Sequence, residues 1–342
     1  MRPDVVVEEL GSMVAFLALE SEWNALVEAS GGVPFLRHEC IRAWLWSFAP
    51  ASKLVLLVGR DAAGKLVAAL PLVLEMGLLC GLPARQLVAA ANTHSSRFDL
   101  IALDPRAAGR AFLDFLGLPV GAWEGERSPY LAFPSSYEEL LEAKSPAFRA
   151  NLRRRRRQLE KMGALTVERF TGLEGLAERL DEGFALERSG WKGRRGTAIA
   201  QDTRTRAFYT EVAKGAALNG YLSLFFLRLD GRPIAFHFGL VYDGVYSVPK
   251  LAYDEELRGA SPGLVLLEEA IKDGIFRGLR GYDFLGAEAE WKNKWSSSVR
   301  PNHWLFIFRD TLMGHALRKA KFGWLPAARR VLQSVEKLGA AE

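Results

Sequence analysis

Val245-Tyr246-Ser247-Val248-Pro249-Lys250-Leu251-Ala252-Tyr253, followed by Arg258-Gly259-Ala260-Ser261-Pro262-Gly263, is the stretch that decides the fold. The first segment reads as a strand. Behind the loop, Leu264, Leu267, Ile271 and Ile275 recur at three- and four-residue spacing, which predicts a helix over Leu264 to Arg277. Upstream, Tyr221 to Leu229 and Pro233 to Val241 are two more strands, with Asp230-Gly231 and Asp243-Gly244 as the turns of an antiparallel meander. Gly281 to Leu285 is a further strand directly after the helix. Three antiparallel strands, a tight loop, a helix and a strand aim the helix N-terminus at a cleft beside the sheet. Backbone N–H groups and the helix dipole make such an end an anion site. Gly259, Ala260, Ser261 and Gly263 are small enough for a pyrophosphate to approach the backbone, and Arg258 suits a phosphate oxygen. The plainer reading is a capped helix, with Ser261 as N-cap, Pro262 as first helical residue and Gly259 as turn former.

Outward from this core, Leu165 to Phe170 is strand-like, and Leu173 to Trp191 and Thr205 to Leu218 carry helical patterns. A long helix is predicted from Tyr137 to Lys161, interrupted at Ser145-Pro146 because proline disfavours helix in the residue before it. The first half mixes strands at Val5 to Leu10, Leu54 to Arg60, Leu66 to Leu74, Phe98 to Leu103 and Tyr130 to Phe133 with helices around Trp23, around Trp44 and over Ala107 to Leu116. Leu66 to Pro83 is the most membrane-like segment, but Pro71, Glu75, Gly77 and Gly81 interrupt it, and it reads as buried strands around a turn. His303 to Arg309 is strand-like, and Leu312 to Leu338 is a basic amphipathic helix with a break at Pro326. The fold class is α+β.

A chain of 342 residues favours two domains. Its 49% hydrophobic and 25% charged residues are those of an ordinary globular protein. The start, Met1-Arg2-Pro3-Asp4 into Val5-Val6-Val7-Glu8-Glu9, has no apolar leader, so a cytoplasmic location is expected. The two cysteines, Cys40 and Cys80, and five scattered histidines give no metal-ligand spacing. The formal charge of +5 falls to −1 without Arg149 and the run Arg153 to Arg157. The basicity is local, and a general affinity for nucleic acid is not expected.

Trp191-Lys192-Gly193, Gly231-Arg232-Pro233-Ile234-Ala235-Phe236, Lys250 with Tyr253-Asp254, Ser261-Pro262-Gly263, Tyr282-Asp283-Phe284, and Trp291-Lys292 with Trp295 follow one another within Leu186 to Trp295. This ordered set resembles a bacterial subfamily of the GNAT acyltransferase superfamily, the cellulose-biosynthesis-like acetyltransferases, a branch near the Fem peptidyltransferases. In that superfamily a Gln/Arg-x-x-Gly-x-Gly/Ala loop cradles the coenzyme A pyrophosphate. Arg258 and Gly263 match its ends, whereas Ser261 replaces the middle glycine and Pro262 removes one N–H donor. The resemblance implies acetyl-CoA or another acyl-CoA as co-substrate at Arg258, Gly259, Ala260, Ser261 and Gly263, with no metal. It implies direct attack on the thioester by an amine or hydroxyl of a small-molecule or glycan acceptor. It also implies two GNAT-like halves in tandem: a first domain over 1–135, a basic interdomain helix over 136–163, the acyltransferase domain over 164–310 and an amphipathic helix over 311–342.

Such a reaction needs a proton acceptor for the nucleophile and stabilisation of the thiolate. His237, within Ala235-Phe236-His237-Phe238-Gly239, is suited to general base or to a structural hydrogen bond. Lys250 and Asp283 lie on strands that are neighbours in the GNAT arrangement. If their faces agree, they pair across the cleft floor, as a functional pair or a structural salt bridge. Lys292, beside Trp291 and Trp295, lines the acceptor mouth or packs with a snorkelling stem. GNAT enzymes often use a tyrosine after the last core strand, here Gly281 to Leu285, to protonate the thiolate; none occurs between Leu285 and Arg309, so the resemblance leaves Tyr253 or water as the donor.

Five consecutive arginines encircle a helix, so one side contacts protein and the rest meets solvent. Their functional readings are an anionic acceptor, an acidic membrane surface, or tRNA, the last only under a Fem-like aminoacyl-tRNA-dependent transferase. The tail's basic residues beside Leu317, Phe322, Trp324, Leu325 and Leu332 compose an interfacial helix for peripheral contact with the inner membrane, or a packing helix. A GNAT scaffold without catalysis, binding an anionic partner, is the non-enzymatic reading.

Overall fold

The computed structural model describes residues 5–79, 81–116, 120–309 and 311–324. Cys80 and the tail beyond Trp324, including the expected break at Pro326, lie outside the described residues.

The first sheet is antiparallel. It comprises β1 (Val6–Leu10), β2 (Lys53–Arg60), β3 (Leu66–Leu79), β4 (Leu82–Ala89) and β5 (Ile101–Ala102), in the order β1-β2-β3-β4 with β5 beside β3. Helices α1 (Met13–Ala18), α2 (Glu20–Ala29), α3 (His38–Phe48) and α4 (Pro105–Leu116) accompany it. The turn between β2 and β3 closes on Asp61, whose Oδ1 accepts from the amides of Ala63 and Lys65. β3 continues past Leu74, where β2 ends its pairing, and only β4 pairs its outer part. Met76 and Leu78 therefore stand exposed, contrary to the expectation of buried strands.

The second sheet holds β6 (Val120–Ala132), β7 (Leu165–Phe170), β8 (Leu224–Leu229), β9 (Arg232–Tyr242), β10 (Val245–Tyr253), β11 (Gly281–Asp283) and β12 (Ser298–Ile307), ordered β12-β6-β11-β10-β9-β8-β7. The meander forms as its turns dictate: Asp230 and Gly231, and again Asp243 and Gly244, take positive φ, which two-residue hairpins of this twist require. β6 comes from the chain before residue 135 yet pairs β11 and β12, so the second sheet takes in residues from both halves. The fold is α+β, with two sheets.

Helices α5 (Tyr137–Glu142) and α6 (Pro146–Glu160) break where expected. Ser145 accepts from the amide of Phe148 as N-cap, and Pro146 starts α6. α7 (Leu176–Ser189), α8 (Trp191–Arg194) and α9 (Thr203–Leu218) cover one face of the second sheet, and α10 (Pro262–Phe276) the other. α11 (Glu290–Asn293) and α12 (Leu312–Lys319) follow.

One apolar core joins the halves: Trp23, Trp44 and Leu56 cluster with Phe184, Phe208, Phe226 and Phe238. A buried polar knot lies beside it. Glu39 accepts from Arg37 Nε at 2.7 Å and from Tyr221 Oη at 2.8 Å, and Arg37 Nη2 donates to Asn219 Oδ1 at 3.2 Å. Removing one partner of such a set leaves a charge unpaired, at a cost of about 3 to 5 kcal/mol. A second core, including Leu152, Leu159, Ile271 and Trp295, seats α6 and α10 on the opposite face.

Candidate active site between the two halves

β10 and β11 are parallel and paired only from Val245 to Ser247 against Gly281 to Asp283. β11 ends there, while β10 runs on to Tyr253 with only β9 as ladder partner, so the β11 side of its second half is an unpaired edge, the candidate gap. α10 begins at the end of β10, reached through a 3-10 turn, Glu255–Ala260. Asp254 caps that turn through the amide of Glu256.

At the entry to α10, Ser261 holds φ 53 and ψ 58, a left-handed conformation unusual for a residue with a Cβ. It occupies the N-cap position but makes no side-chain cap; its Oγ donates instead to Arg258 O at 3.4 Å. The amide of Gly263, second in the helix, has no intrahelical acceptor and faces outward along the axis. A Cβ there would meet only the Tyr253 ring, at 3.4 Å. Arg258 is exposed, and Arg155 of α6 donates to Gly259 O. Arg156 pairs with Glu269 of α10. The arginine run thus splits as a helix surface must: Arg155 and Arg156 dock on the loop and α10, while Arg153, Arg154 and Arg157 face solvent.

A β-bulge decides where Lys250 points. Ser247 pairs with Leu240 and Lys250 with Phe238, so three steps on β10 span two on β9. Ser247, Lys250 and, through Ser247, Asp283 consequently share one face, the face toward the first half. They do not pair with each other. Asp283 is buried and taken by Arg97 of the first half, whose Nε donates at 3.0 Å and whose Nη2 lies at 2.7 Å, and by Arg300 of β12 at 3.3 Å. Ser128 of β6 lies at 3.5 Å and the Leu285 amide donates at 3.0 Å. The Lys250–Asp283 pair expected from the sequence does not form: the two share a face, but Asp283 stands opposite Ser247, three residues before Lys250, and is taken by this clamp instead.

Lys250 Nζ instead lies 5.5 Å over the Tyr209 ring of α9. Burial, with the charge of Lys192 nearby, pushes its ammonium down to about 8, against a smaller opposing effect of Glu187. Lys192 is itself committed: it donates to Glu187 at 2.7 Å and to Leu251 O at 3.0 Å. His94, in the loop between β4 and β5, places Nδ1 3.4 Å from Tyr209 Oη. Burial and then Lys250 push His94 down to about 4. Burial holds Tyr209 well above the usual tyrosine range, so it stays protonated. The group Lys250, Tyr209, His94 therefore offers one ammonium close to neutrality, one phenol and one neutral imidazole.

His237 lies on the opposite face, paired with Phe225 and Leu251, and burial alone pushes it down to about 3. Its Nδ1 has no hydrogen-bond partner. His237 thus stands on the far face of the sheet from Lys250, buried and weakly basic. Lys292 donates to Leu285 O at 2.6 Å and Ala287 O at 2.8 Å, fixing the turn in which Leu285 and Gly286 take positive φ. Trp295 is fully buried against Phe148 of α6, and Trp291 packs on Phe284.

Sequence reasoning missed His94, Arg97, Tyr209 and Arg300. The one local signal for the first two is the polar stretch Asn92-Thr93-His94-Ser95-Ser96-Arg97 between strands, and connecting loops carry function more often than the elements they join. Among the described residues, no group of three or more His, Cys, Asp or Glu is placed to hold a metal. No helix among them is long and apolar enough to cross a membrane.

A search of curated proteins finds no match in sequence. In fold, the chain is similar to the crystal structure of FemX, with a TM-score of 0.55 and 13% identity over 88% of this chain and 97% of that one. It is also similar to the C-terminal domain of a putative lysylphosphatidylglycerol synthetase from Agrobacterium fabrum, with a TM-score of 0.52 and 13% identity over 90% and 96%. L-PGS from Bacillus licheniformis aligns with a TM-score of 0.52 and 12% identity over 87% and 94%. Identities this low carry the fold and no more. Residues 146–293, from the start of α6 to the end of α11, match the family model of the acetyltransferase (GNAT) domain.

Proposed function

We propose that the chain transfers an acyl group from acyl-CoA to an amine or hydroxyl of a small or glycan-linked acceptor, by direct attack on the thioester. One observation carries this reading: the gap between β10 and β11 opens with the α10 N-terminus at one end and Lys250, Tyr209 and His94 on its inner face. The loop fits a pyrophosphate in part. Gly263 contributes an outward amide and room for close approach, and Arg258 and the flank of Arg155 contribute charge, while Pro262 contributes no N–H. In this assignment Arg258, Gly259, Ala260, Ser261 and Gly263 hold the donor.

Lys250 is the proton acceptor. With its ammonium near 8, about one tenth is neutral at pH 7 and about half at pH 8, so a base is present without a histidine. Tyr209, held protonated, is the proton donor to the departing thiolate, in place of the tyrosine that the segment after β11 lacks. Asp283 is a positioning residue: it ties Arg97 of the first half to the tip of β11 and so fixes the mouth of the gap. The motif set around Trp191, Lys250 and Tyr282 further supports placing the chain with the cellulose-biosynthesis-like acetyltransferases.

Free thiol released from acetyl-CoA, and from longer acyl-CoAs, is measured with a panel of amine and glycan acceptors. Acceptor-dependent release that falls at least about a hundredfold in Lys250→Met is expected, the size of a lost general base. Release that is equal in that variant contradicts the role of Lys250. The second reading, an aminoacyl-tRNA donor as in the Fem group, draws on the solvent-facing Arg153, Arg154 and Arg157 beside the loop. Under the acyl-CoA reading, replacing these three with glutamine leaves acyl-CoA binding intact. Tight, salt-sensitive binding of tRNA lost in the same variant favours the second reading.

A further inference from the structure

β6 and β12 outrun the sheet they belong to. β11 pairs β6 only at Tyr130, Leu131 and Ala132, whereas β12 pairs it from Tyr130 out to Val120. The outer parts of the two strands form a ribbon with no third strand among the described residues, an arrangement with little core of its own. On one face Trp123 stands opposite Trp304, and Gly121 opposite Phe306. Phe322, from the turn after α12, covers part of that face, 5.5 Å from Trp123 and 5.7 Å from Phe306. Gly121 makes this possible, since a Cβ would lie 2.3 Å from the Phe322 ring. Lys321 Nζ lies 4.5 Å from the Trp123 ring centre and 4.1 Å from that of Phe306.

The cover is incomplete. Trp304 is 60% exposed, and Leu305, on the other face, is 59% exposed. α12 adds Leu312 at 92% and Met313 at 63%, and Trp324 beyond it stays exposed. Between Arg309 and Trp324 the sequence places Arg309, Arg318, Lys319 and Lys321 against one acidic residue, Asp310, and the β6 half of the ribbon adds Glu124, Glu126 and Arg127, so positive charge stays in excess. We propose that this ribbon and α12 seat the protein on an anionic lipid surface. Tryptophan and leucine side chains mixed with lysines, one of which, Lys321, holds its ammonium over two aromatic rings, suit the boundary between headgroups and acyl chains. The excess positive charge complements anionic headgroups and opposes pairing of the patch with its own copy, which would set Lys319 and Lys321 against like charges. The inference does not depend on which acyl group or acceptor the active site takes.

The full chain is co-sedimented with phosphatidylcholine vesicles and with vesicles containing roughly one third phosphatidylglycerol, enough to set a negative surface potential. Binding to the second and little to the first is expected. Lys319→Gln with Lys321→Gln weakens it about 25-fold, about fivefold for each lysine near the surface. Trp304→Ser with Leu305→Ser, both at exposed positions, also weakens it while the thermal midpoint stays unchanged. Equal binding to both vesicle types, no binding to either, or a dimer in solution dispersed by the Trp304 and Leu305 changes overturns the proposal.

Discussion

Replacing Lys250 with methionine separates the cost of a buried ammonium from its use. The unfolded chain holds this proton to about pH 10.4, and the folded protein gives it up near 8. That difference corresponds to roughly 3 kcal/mol of penalty on the charged form, an upper value because the side chain keeps part of its hydration. The folded affinity for the proton is depressed, so below pH 8 both states are protonated and the fold carries the whole penalty. Between 8 and 10.4 the unfolded state binds more protons, and stability rises with pH until the penalty is gone. Methionine keeps the length and apolar stem without the charge. Lys250→Met is therefore expected to be about 1 to 3 kcal/mol more stable than the parent at pH 7, with the gap closing toward pH 10. Urea unfolding of both proteins at pH 7 and 9.5 measures this. A variant less stable at pH 7, or a gap indifferent to pH, refutes the burial argument. In parallel, kcat/KM of the parent should rise tenfold per pH unit below about 8 and level off above it, as a base of that affinity requires.

Asp283→Asn leaves Arg97 and Arg300 facing an uncharged amide, and a loss of about 3 kcal/mol or more in urea unfolding is expected, as for a broken buried ion pair. A loss under about 1 kcal/mol would show that the clamp between the halves is weak. His237→Leu removes a neutral, unpartnered imidazole from an apolar layer, so stability should hold within about 1 kcal/mol and kcat should stay within about twofold. A collapse of kcat with intact folding would return His237 to the catalytic group. Arg155→Ala frees Gly259 O from its donor and should raise the KM for acyl-CoA more than it lowers kcat. An unchanged KM would mean that α6 does not shape the donor loop.

The meander, its Asp-Gly turns, the α10 helix and the break at Ser145-Pro146 were legible because each rests on short-range rules: strand alternation, left-handed turn residues, helical period and proline geometry. What escaped is long-range. No local pattern tells residues 120 to 132 to cross into the second sheet, where their partners lie more than 140 positions away. The bulge at Val248-Pro249 rotates Lys250 onto the face of Ser247, and a strict two-residue period assigns it to the other. His94 and Arg97 reach the site only because the two halves share one core. His237 looked functional by residue type, but its strand position between Phe225 and Leu251 buries it away from the gap.

The central claim is that an acyl-CoA binds at the start of α10. Thermal unfolding of the full chain with acetyl-CoA, with a longer acyl-CoA and with free CoA tests it, alongside Gly263→Ala. That substitution adds a methyl where only the Tyr253 ring is near, so the fold tolerates it while the close approach of a pyrophosphate is blocked. A ligand at about 100 times its Kd adds roughly 2.7 kcal/mol, a shift of a few degrees for a chain of this size. The account predicts that shift in the parent and its loss in Gly263→Ala at an unchanged or higher ligand-free midpoint. No shift with any of the three ligands, or an equal shift in both proteins, contradicts it.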